Sequence, residues 1–276
     1  MSHPHEPAST AGTPPLTGRV FLVTGVTRSI GIGYAVVRRL IADGASVHAS
    51  GWEPFDDEMP WGADPAPLDE LPADRLHLSS ADLGDAAVAD QLVEETIERF
   101  GSIDGVVANH ARSAHDSIAN VTVEELDACW QVNTRASLLL AKALGERRGA
   151  ARPGGRVVFF TSGQHLGPMA DEIAYSLSKG AILSMTNSVA DFLADAGITV
   201  NCINPGPVDT GYATGRAHEA VRVGFPAGRW GEPDDVANLV AWLVSDEAAW
   251  ITGQVINSTG GWRGASQRID PNDRLN

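Results

Sequence analysis

The sequence predicts an α/β fold in which a parallel sheet of about seven strands carries helices on both faces. Short apolar runs, such as RVFLVT at 19–24 and RVVFFT at 156–161, alternate along the chain with longer segments of helical periodicity. Near-continuous apolar runs are typical of parallel strands buried on both faces, and their alternation with helices is typical of a doubly wound sheet. The chain has 276 residues, 43% of them apolar, which is enough for one domain of this kind.

The two ends of the chain differ in composition from its middle. Residues 1–17 contain four prolines and mostly small polar side chains, so we expect a disordered N-terminal segment. A single domain is expected over 18–262, and a polar C-terminal tail over 263–276.

Charge and cysteine content narrow the classes of partner. The formal net charge of −15 argues against nucleic acid and against anionic membrane surfaces. Cys129 and Cys202 are the only cysteines, so we expect no disulfide framework and a reducing, cytoplasmic location. No apolar run is long enough to cross a membrane, and the pattern contains no metal-ligand cluster that we would single out. The expected partners are therefore small-molecule substrates.

The first predicted strand runs directly into a glycine-rich turn at 25–33, and a helix is predicted over 34–43. Glycines allow the backbone to approach a pyrophosphate closely, and a helix N-terminus offers N–H groups to it. A glycine turn alone is also compatible with a tight connection that binds nothing. The flanking strand and helix favour nucleotide binding and a Rossmann-like arrangement.

The second and third strands are predicted at 45–50 and 75–79. Between them, residues 51–74 contain eight acidic residues, five prolines and no basic residue. We expect a solvated insertion that is mainly loop, with a short helix near 67–71, and we assign it no chemistry. Asp82 follows the third strand, where it either starts the helix predicted at 85–100 or contacts an adenine.

The second half of the chain continues the alternation. Asn133 lies within an apolar helical pattern, where its amide needs partners, so it either ties backbone groups together or holds a water beside Lys179. Residues 212–230 lack clean periodicity and are a candidate lid. The remaining strands are predicted at 103–109, 156–161, 198–203 and 252–257, and the remaining helices at 121–147, 173–196 and 233–245.

Three side chains in the middle of the chain suit proton transfer to a carbonyl oxygen. Ser162 stands at the end of a buried strand, and Tyr175 and Lys179 lie one helical turn apart on the next helix. A tyrosine has a pKa of about 10, so its phenolate near neutral pH needs about 4 kcal/mol of stabilisation. We expect the Lys179 ammonium to supply it and the Ser162 hydroxyl to hold the substrate oxygen. A surface Tyr–Lys pair is the alternative, which the serine at the strand end disfavours.

On these residues the chain resembles the short-chain dehydrogenase/reductase family over about 16–262, and most closely its bacterial 3-oxoacyl-carrier-protein reductases and related ketoreductases. The resemblance implies a catalytic tetrad of Asn133, Ser162, Tyr175 and Lys179, and a homotetramer or homodimer built on the two long helices. In it Asn133 supports a proton-relay water, and Lys179 also holds the nicotinamide ribose. The implied cofactor contacts are Gly25, Arg28, Gly31, Ile32, Gly33, Asp82, Leu83, Asn109, Ala111, Tyr175, Lys179, Pro205, Gly206, Val208 and Thr210.

Two departures from the family pattern affect the function. The glycine turn is two residues longer between Gly25 and Gly31, which looks like the family's bacterial enoyl reductases. Those enzymes space tyrosine and lysine more widely, so reduction of a carbonyl is favoured over reduction of an enoyl group. The family's Asn-Asn-Ala-Gly reads Asn109-His110-Ala111-Arg112 in this chain.

The predicted function is an NAD(P)(H)-dependent oxidoreductase that interconverts a ketone and a secondary alcohol. A nucleotide-bound regulatory or scaffold protein without turnover, and an enoyl reductase, are the alternatives. NADP(H) is favoured over NAD(H), because the second strand ends at Gly51 without the acid that holds a free 2′-hydroxyl. Arg28 is a candidate partner for the extra phosphate, and Glu53 would oppose it.

Three residues are candidate substrate contacts. Gln164 and His165 follow Ser162 directly. Arg112 follows the fourth strand and would suit a carboxylate or phosphate on the substrate. The competing interpretation is a structural ion pair of Arg112 with one of three acids, namely Asp116, Asp171 or Glu172.

Overall fold

A computed structural model of the protein describes residues 13–264 apart from 60, 61, 63, 114 and 149–153. Its centre is a parallel sheet with the strand order β3-β2-β1-β4-β5-β6-β7. This confirms the predicted doubly wound sheet. The strands are β1 (Val20–Thr24), β2 (Ser46–Gly51), β3 (Leu76–Ser80), β4 (Gly105–Ala108), β5 (Gly155–Phe160), β6 (Ile198–Asn204) and β7 (Val255–Asn257).

Helices cover both faces of the sheet. On one face α1 packs against α8, and on the other α3, α5 and α6 pack together. The helices are α1 (Ile32–Ala42), α2 (Glu53–Glu58), α3 (Val88–Phe100), α4 (Val123–Cys129), α5 (Ala136–Arg148), α6 (Ile173–Ala194), α7 (Gly215–Arg222) and α8 (Pro233–Val244). Among the described residues, none of these helices combines the length and apolar character that a membrane span requires.

The core consists of two apolar layers, one on each side of the sheet. Within β1 the side chains alternate between them, because Phe21 and Val23 join the layer under α1 and α8 whereas Leu22 joins the layer under α3 and α5. All three are 0% exposed. Cys129 and Cys202 are both buried free thiols.

The structure corrects three of the predicted boundaries. The helix expected over 121–147 is interrupted by a wide π turn, Trp130–Arg135, which separates α4 from α5. Of the segment expected to be disordered, residues 1–12 lie outside the described residues. Leu16 is only 1% exposed and packs in the core, so the ordered body begins before residue 18. The insertion contains α2, which its proline spacing did not predict.

Candidate active site

The turn between β1 and α1 is packed too closely for larger residues. Gly25 has a φ of +75°, and a Cβ at this position would lie 2.7 Å from the His110 Cα. A Cβ on Gly33 would clash with the Gly25 carbonyl oxygen. Asn109, which follows β4, donates through Nδ2 to the carbonyl oxygens of Thr24 and Gly25 at 3.2 and 3.1 Å. These glycines and Asn109 therefore form one rigid turn.

The start of α1 suits a bound pyrophosphate. Gly31 is the N-cap, no side chain caps the helix, and the first turn contains no acidic residue. In contrast, the Thr122 hydroxyl accepts a hydrogen bond from the Glu125 N–H at the start of α4. The first N–H groups of α1, beginning at Ile32, are therefore available to an anion, and the helix dipole favours negative charge there. This geometry fits the predicted nicotinamide dinucleotide.

The acidic insertion at 51–74 packs on this turn. Asp56 of α2 accepts a hydrogen bond from the Thr27 hydroxyl at 2.5 Å. The Asp64 carboxylate accepts from the Ser29 hydroxyl at 2.8 and 2.9 Å, and the Asp64 carbonyl oxygen accepts from the Ser29 N–H at 2.9 Å. The insertion, to which the sequence assigned no chemistry, is therefore tied to the glycine turn, because two of its carboxylates accept hydrogen bonds from hydroxyl groups of that turn.

The Arg28 side chain does not point to where a 2′-phosphate would bind. Its Nη1 donates to the Thr210 carbonyl oxygen at 2.9 Å, in the loop after β6. The adenosine ribose lies near the end of β2 in folds of this type, in the other half of the sheet. There the Glu53 carboxylate accepts a hydrogen bond from the Ser80 hydroxyl at 2.8 Å. The expected contact of Arg28 with that phosphate is therefore at odds with this geometry.

Ser162, Tyr175 and Lys179 meet at the carboxyl end of β5. The Ser162 side chain, just after β5, lies close enough to the phenol of Tyr175, near the start of α6, to lower its pKa in part. Lys179 lies one turn further along α6, with its Nζ 5.7 Å from the centre of the Tyr175 ring. The same Nζ donates to the Phe160 carbonyl oxygen at 3.1 Å. The structure thus brings together the three side chains that the sequence grouped.

Burial controls the ionisation of these side chains. It raises the pKa of Tyr175 to about 12, and the interaction with Ser162 offsets only part of this effect. Burial also lowers the pKa of Lys179 to about 8, since this residue is 2% exposed. The net shift of the Tyr175 pKa is therefore upward, opposite to the expected lowering. The ammonium lies beside the ring, and desolvation of the phenolate dominates.

Asn133 joins the loop after β4 to α6. It lies in the π turn and is 0% exposed. Its Oδ1 accepts from the Arg112 N–H at 2.7 Å, and its Nδ2 donates to the Arg112 carbonyl oxygen and the Ser178 hydroxyl, both at 2.9 Å. Of the two roles expected for Asn133, the structure contains the tie between backbone groups.

His110 holds the same loop from the opposite side. One ring nitrogen lies 2.6 Å from the Thr24 hydroxyl, and the other lies 2.9 Å from the Val132 carbonyl oxygen. Burial lowers the pKa of His110 to about 3, so the ring is neutral at pH 7. Its Nε2 therefore donates to Val132, and Nδ1 accepts from Thr24. This arrangement orders the loop that carries Ala111.

Two of the three predicted substrate contacts are engaged within the protein. Arg112 donates through Nε and Nη2 to the two carboxylate oxygens of Glu125, both at 2.9 Å, and it lies 5.5 Å from the centre of the Phe55 ring. The ion-pair alternative therefore describes this arginine, with a different acid from those expected. His165 lies 3.1 Å from the Ser162 carbonyl oxygen and 3.0 Å from Asn257 Oδ1.

Gln164 is the exception among these three. Its Nε2 donates to the Thr161 hydroxyl at 2.9 Å. Its Oε1 is buried and has no hydrogen-bond partner within the described part of the chain. A buried acceptor without a donor is costly, so Gln164 is suited to accept from a bound molecule.

The remaining predicted cofactor contacts lie at two strand ends. Asp82, after β3, accepts the Gly84 N–H at 2.7 Å, and the neighbouring Leu83 is buried. In the loop after β6, Gly206 has a φ of +66° and its N–H donates to Asn204 Oδ1 at 3.1 Å. That loop also carries the predicted contacts Pro205, Val208 and Thr210.

Comparison with known proteins identifies the family. A family model described as "Enoyl-(Acyl carrier protein) reductase" matches residues 25–263. The chain is 36% identical over 251 residues to "Uncharacterized oxidoreductase YjdA" of Bacillus subtilis (strain 168), covering 88% of this chain and 96% of that protein. It is 33% identical over 258 residues to "Dehydrogenase/reductase SDR family member 4" of Homo sapiens, covering 90% and 88%. The chain belongs to the short-chain dehydrogenase/reductase family.

A solved structure agrees with this membership. The crystal structure of a short chain dehydrogenase from Burkholderia cenocepacia J2315 in complex with NADP has a TM-score of 0.79 and 32% identity, and the match covers 91% of this chain and 99% of that one. As a short-chain dehydrogenase/reductase, the protein is an NAD(P)-dependent oxidoreductase.

Sequence reasoning assigned no role in the site to several residues near Tyr175, among them Glu172 and Tyr212, which interact with it electrostatically. Glu172 lies just before α6, and burial raises the pKa of its carboxyl group. In the predicted lid, Trp230 is 4% exposed and stacks on the His218 ring at 4.7 Å, while Tyr212 packs edge-on against it at 5.6 Å. The sequence could have indicated Glu172, because it stands three residues before Tyr175. No local sequence pattern indicates the aromatic packing of the predicted lid.

Proposed function

We propose that this enzyme interconverts a ketone and a secondary alcohol, with Tyr175 as the general acid/base. One observation carries the proposal: the side chains of Tyr175 and Ser162 interact at the end of β5, and the Lys179 ammonium lies 5.7 Å from the centre of the Tyr175 ring. A carbonyl oxygen placed between the two hydroxyls would accept a hydrogen bond from each. Both would strengthen as negative charge develops on that oxygen.

The protein side chains supply the proton and the orientation. When NAD(P)H is bound, it supplies the hydride for the carbonyl carbon. Because burial holds the pKa of Tyr175 at about 12, its phenol is protonated at pH 7 and is ready to donate to the alkoxide. Ser162 orients the oxygen, and we propose that the Lys179 ammonium returns a proton to Tyr175 through a water, with Asn133 supporting that water's position. The charge of Lys179 stabilises the phenolate that remains after transfer.

Tyr175→Phe tests this assignment. The variant keeps the ring packing and removes the transferable proton, so we expect nearly unchanged binding of the dinucleotide and a loss of kcat of at least about 100-fold. The measurements are nicotinamide oxidation with a panel of ketones and the Kd of the dinucleotide. Near-parent turnover would reject Tyr175 as the acid. Absence of turnover by the parent protein on ketones would favour the regulatory or scaffold alternative.

A specific observation supports a second reaction, the reduction of an enoyl group. The matching family model is described as an enoyl reductase, and the glycine turn is two residues longer than is usual in the family. We rank it second because Tyr175 and Lys179 are only four positions apart and meet in one helical turn. Matched 3-oxoacyl and trans-2-enoyl thioesters of equal chain length discriminate between the reactions. We expect the larger kcat/KM for the 3-oxoacyl member, as in the ketoreductases that the sequence resembles.

We propose NADP(H) as the preferred cofactor, because β2 ends at Gly51 and so offers no carboxylate directly to the ribose 2′ position. A Cβ at Gly51 would lie 2.6 Å from Thr27 Cγ2, which explains why this position is a glycine. The Glu53 carboxylate, two residues further on, opposes the preference. The ratio of kcat/KM for the two cofactors decides this point.

We also propose that the enzyme assembles as a homotetramer through the faces of α5 and α6. Leu177 on α6 is 61% exposed and Leu138 on α5 is 43% exposed, so these helices present apolar side chains outwards. Light scattering coupled to size exclusion measures the assembly. We expect Leu177→Glu to yield smaller species, and a parent protein that elutes as a monomer would reject the proposal.

A further inference from the structure

The register of the β2–β3 pair brings two histidines together. His48 of β2 lies opposite His77 of β3, and Ser50 lies opposite Ser79. Neighbouring strands are about 4.8 Å apart, so both imidazoles project from the same part of the sheet. Helix α3 covers this face and contributes Glu95. The cluster lies at the β3 edge of the sheet, well separated in strand order from the Tyr175 site after β5.

The three side chains present a set of ligand atoms of metal-binding type. One ring nitrogen of His48, one ring nitrogen of His77 and a carboxylate oxygen of Glu95 all lie within 4.8 Å of one another. His77 Nε2 is 2.6 Å from one Glu95 oxygen, and His48 Nε2 is 3.9 Å from the other. Ligands around a tetrahedral zinc ion, with bonds of about 2.0–2.1 Å, are about 3.4 Å apart. Small side-chain movements would bring the set to this geometry.

Hydrogen bonds fix the state of His48 that a metal requires. The Thr96 hydroxyl donates to the Leu92 carbonyl oxygen at 2.6 Å, so its oxygen accepts from His48 Nδ1–H at 2.8 Å. This tautomer directs the Nε2 lone pair into the cluster, towards Glu95 and the Ser79 hydroxyl. Histidine ligands of metals usually donate their second ring N–H to an oxygen in this way. The His48 ring is 0% exposed.

We propose that His48, His77 and Glu95 bind one divalent transition-metal ion, with Zn²⁺ as the preferred member of the class. Two imidazoles and one carboxylate select such ions over Mg²⁺ and Ca²⁺, which prefer oxygen ligands only. A surface cavity of about 390 Å³ is lined in part by Ser79 and Glu95, so it reaches the Glu95 side of the cluster.

Such an ion would clamp the base of the acidic insertion. His48 precedes the 51–74 segment by three residues and His77 follows it by three, so the ion joins its two ends. The insertion in turn holds the glycine turn through Asp56 and Asp64. Metal binding is therefore expected to raise the melting temperature and to order the insertion, because a ligand that binds only the folded state stabilises it.

Zinc titration of the chelator-treated, full-length protein tests this proposal. Isothermal titration calorimetry at pH 7.5 is expected to give one saturable equivalent of Zn²⁺ per chain, with a higher melting temperature. Co²⁺ is expected to produce the intense visible absorption of a tetrahedral site, and Mg²⁺ in excess should not displace it. Glu95→Gln and His77→Ala, both partly exposed side chains, should each abolish the saturable equivalent while the protein stays folded by circular dichroism.

Two further variants make the result specific. Thr96→Val removes the oxygen that orients His48 and should weaken Zn²⁺ binding by about 10- to 100-fold without abolishing it. The double variant His3→Ala/His5→Ala should bind like the parent, which excludes the N-terminal histidines. No saturable Zn²⁺ binding by the parent, or equal binding by Glu95→Gln and His77→Ala, would show that the cluster is only an ion pair beside a neutral histidine.

Discussion

Lys179→Met is expected to make the protein more stable while it removes activity. Burial lowers the pKa of Lys179 from its usual 10.5 to about 8, which corresponds to about 3 kcal/mol against the charged form in the folded state. Methionine has a similar shape and no charge. It loses the hydrogen bond from Nζ to the Phe160 carbonyl oxygen, which we take as about 1 kcal/mol. The net expectation is about 2 kcal/mol of added stability at pH 7.

The sign of the pH dependence follows from the direction of this pKa change. Below pH 8 the lysine is charged in both states, so the folded protein carries the full cost of burying the charge. Between about pH 8 and 10.5 only the unfolded chain remains protonated, so the contribution of Lys179 to stability improves as the pH rises. The advantage of Lys179→Met should therefore fall towards zero near pH 10.

Urea unfolding of the cofactor-free protein measures this difference at equal protein concentration, from the transition midpoint at an unchanged slope. Lys142→Met is the matched control, because Lys142 is 60% exposed and pairs with Glu146 on the surface. It should change the free energy of unfolding by less than about 0.5 kcal/mol at either pH. A Lys179→Met variant that is no more stable than the parent at pH 7, or whose advantage is equal at pH 7 and 10, would refute this reasoning.

Three further changes test the surroundings of the site. Glu53→Gln should raise the kcat/KM ratio of NADPH to NADH by about three- to tenfold, since it removes a negative charge near the 2′ position; an unchanged ratio would remove Glu53 from cofactor selection. Arg112→Ala should lower the free energy of unfolding by about 1–2 kcal/mol, because it removes the ion pair with Glu125. It should change kcat/KM equally for anionic and neutral ketones. A KM increase confined to anionic ketones would contradict a purely structural role for Arg112. Gly33→Ala should weaken dinucleotide binding more than 100-fold or prevent folding, because its Cβ clashes with the Gly25 carbonyl oxygen. A parent-like melting temperature and Kd in that variant would contradict the close packing.

The strands were predictable because each buried parallel strand is a short apolar run with its own signal. The predicted run at 19–24 and the observed β1 (Val20–Thr24) differ by one residue. The start of α1 was placed two residues late, since the glycines at 31 and 33 hide the helical pattern there. The break between α4 and α5 had no signal, because a π turn inserts one residue without changing the apolar character of the segment.

The polar contacts of the site were less predictable, since they join residues that are distant in sequence. The acids expected to neutralise Arg112 were chosen by proximity, but α4 carries Glu125 back across the loop to pair with it. Nothing in an acidic, proline-rich stretch indicates that Asp56 and Asp64 will hold two hydroxyls of the glycine turn. The predicted direction of the Tyr175 pKa change was wrong for a related reason. The sequence indicates that Lys179 lies near Tyr175, but it does not indicate how deeply the phenol is buried.

The loop after β4 contacts the glycine turn, the acidic insertion and Asn133. Asn109 binds the glycine turn, and Arg112 packs on Phe55 of the insertion. The loop therefore contacts both the glycine turn and the insertion. Asn133 binds the Arg112 backbone and also Ser178, which directly precedes Lys179 on α6. These contacts form a continuous path from the insertion, through the loop after β4, to α6. Arg112 therefore joins three parts of the structure: its ion pair with Glu125 ties it to α4, its guanidinium lies over Phe55 of the insertion, and its backbone binds Asn133.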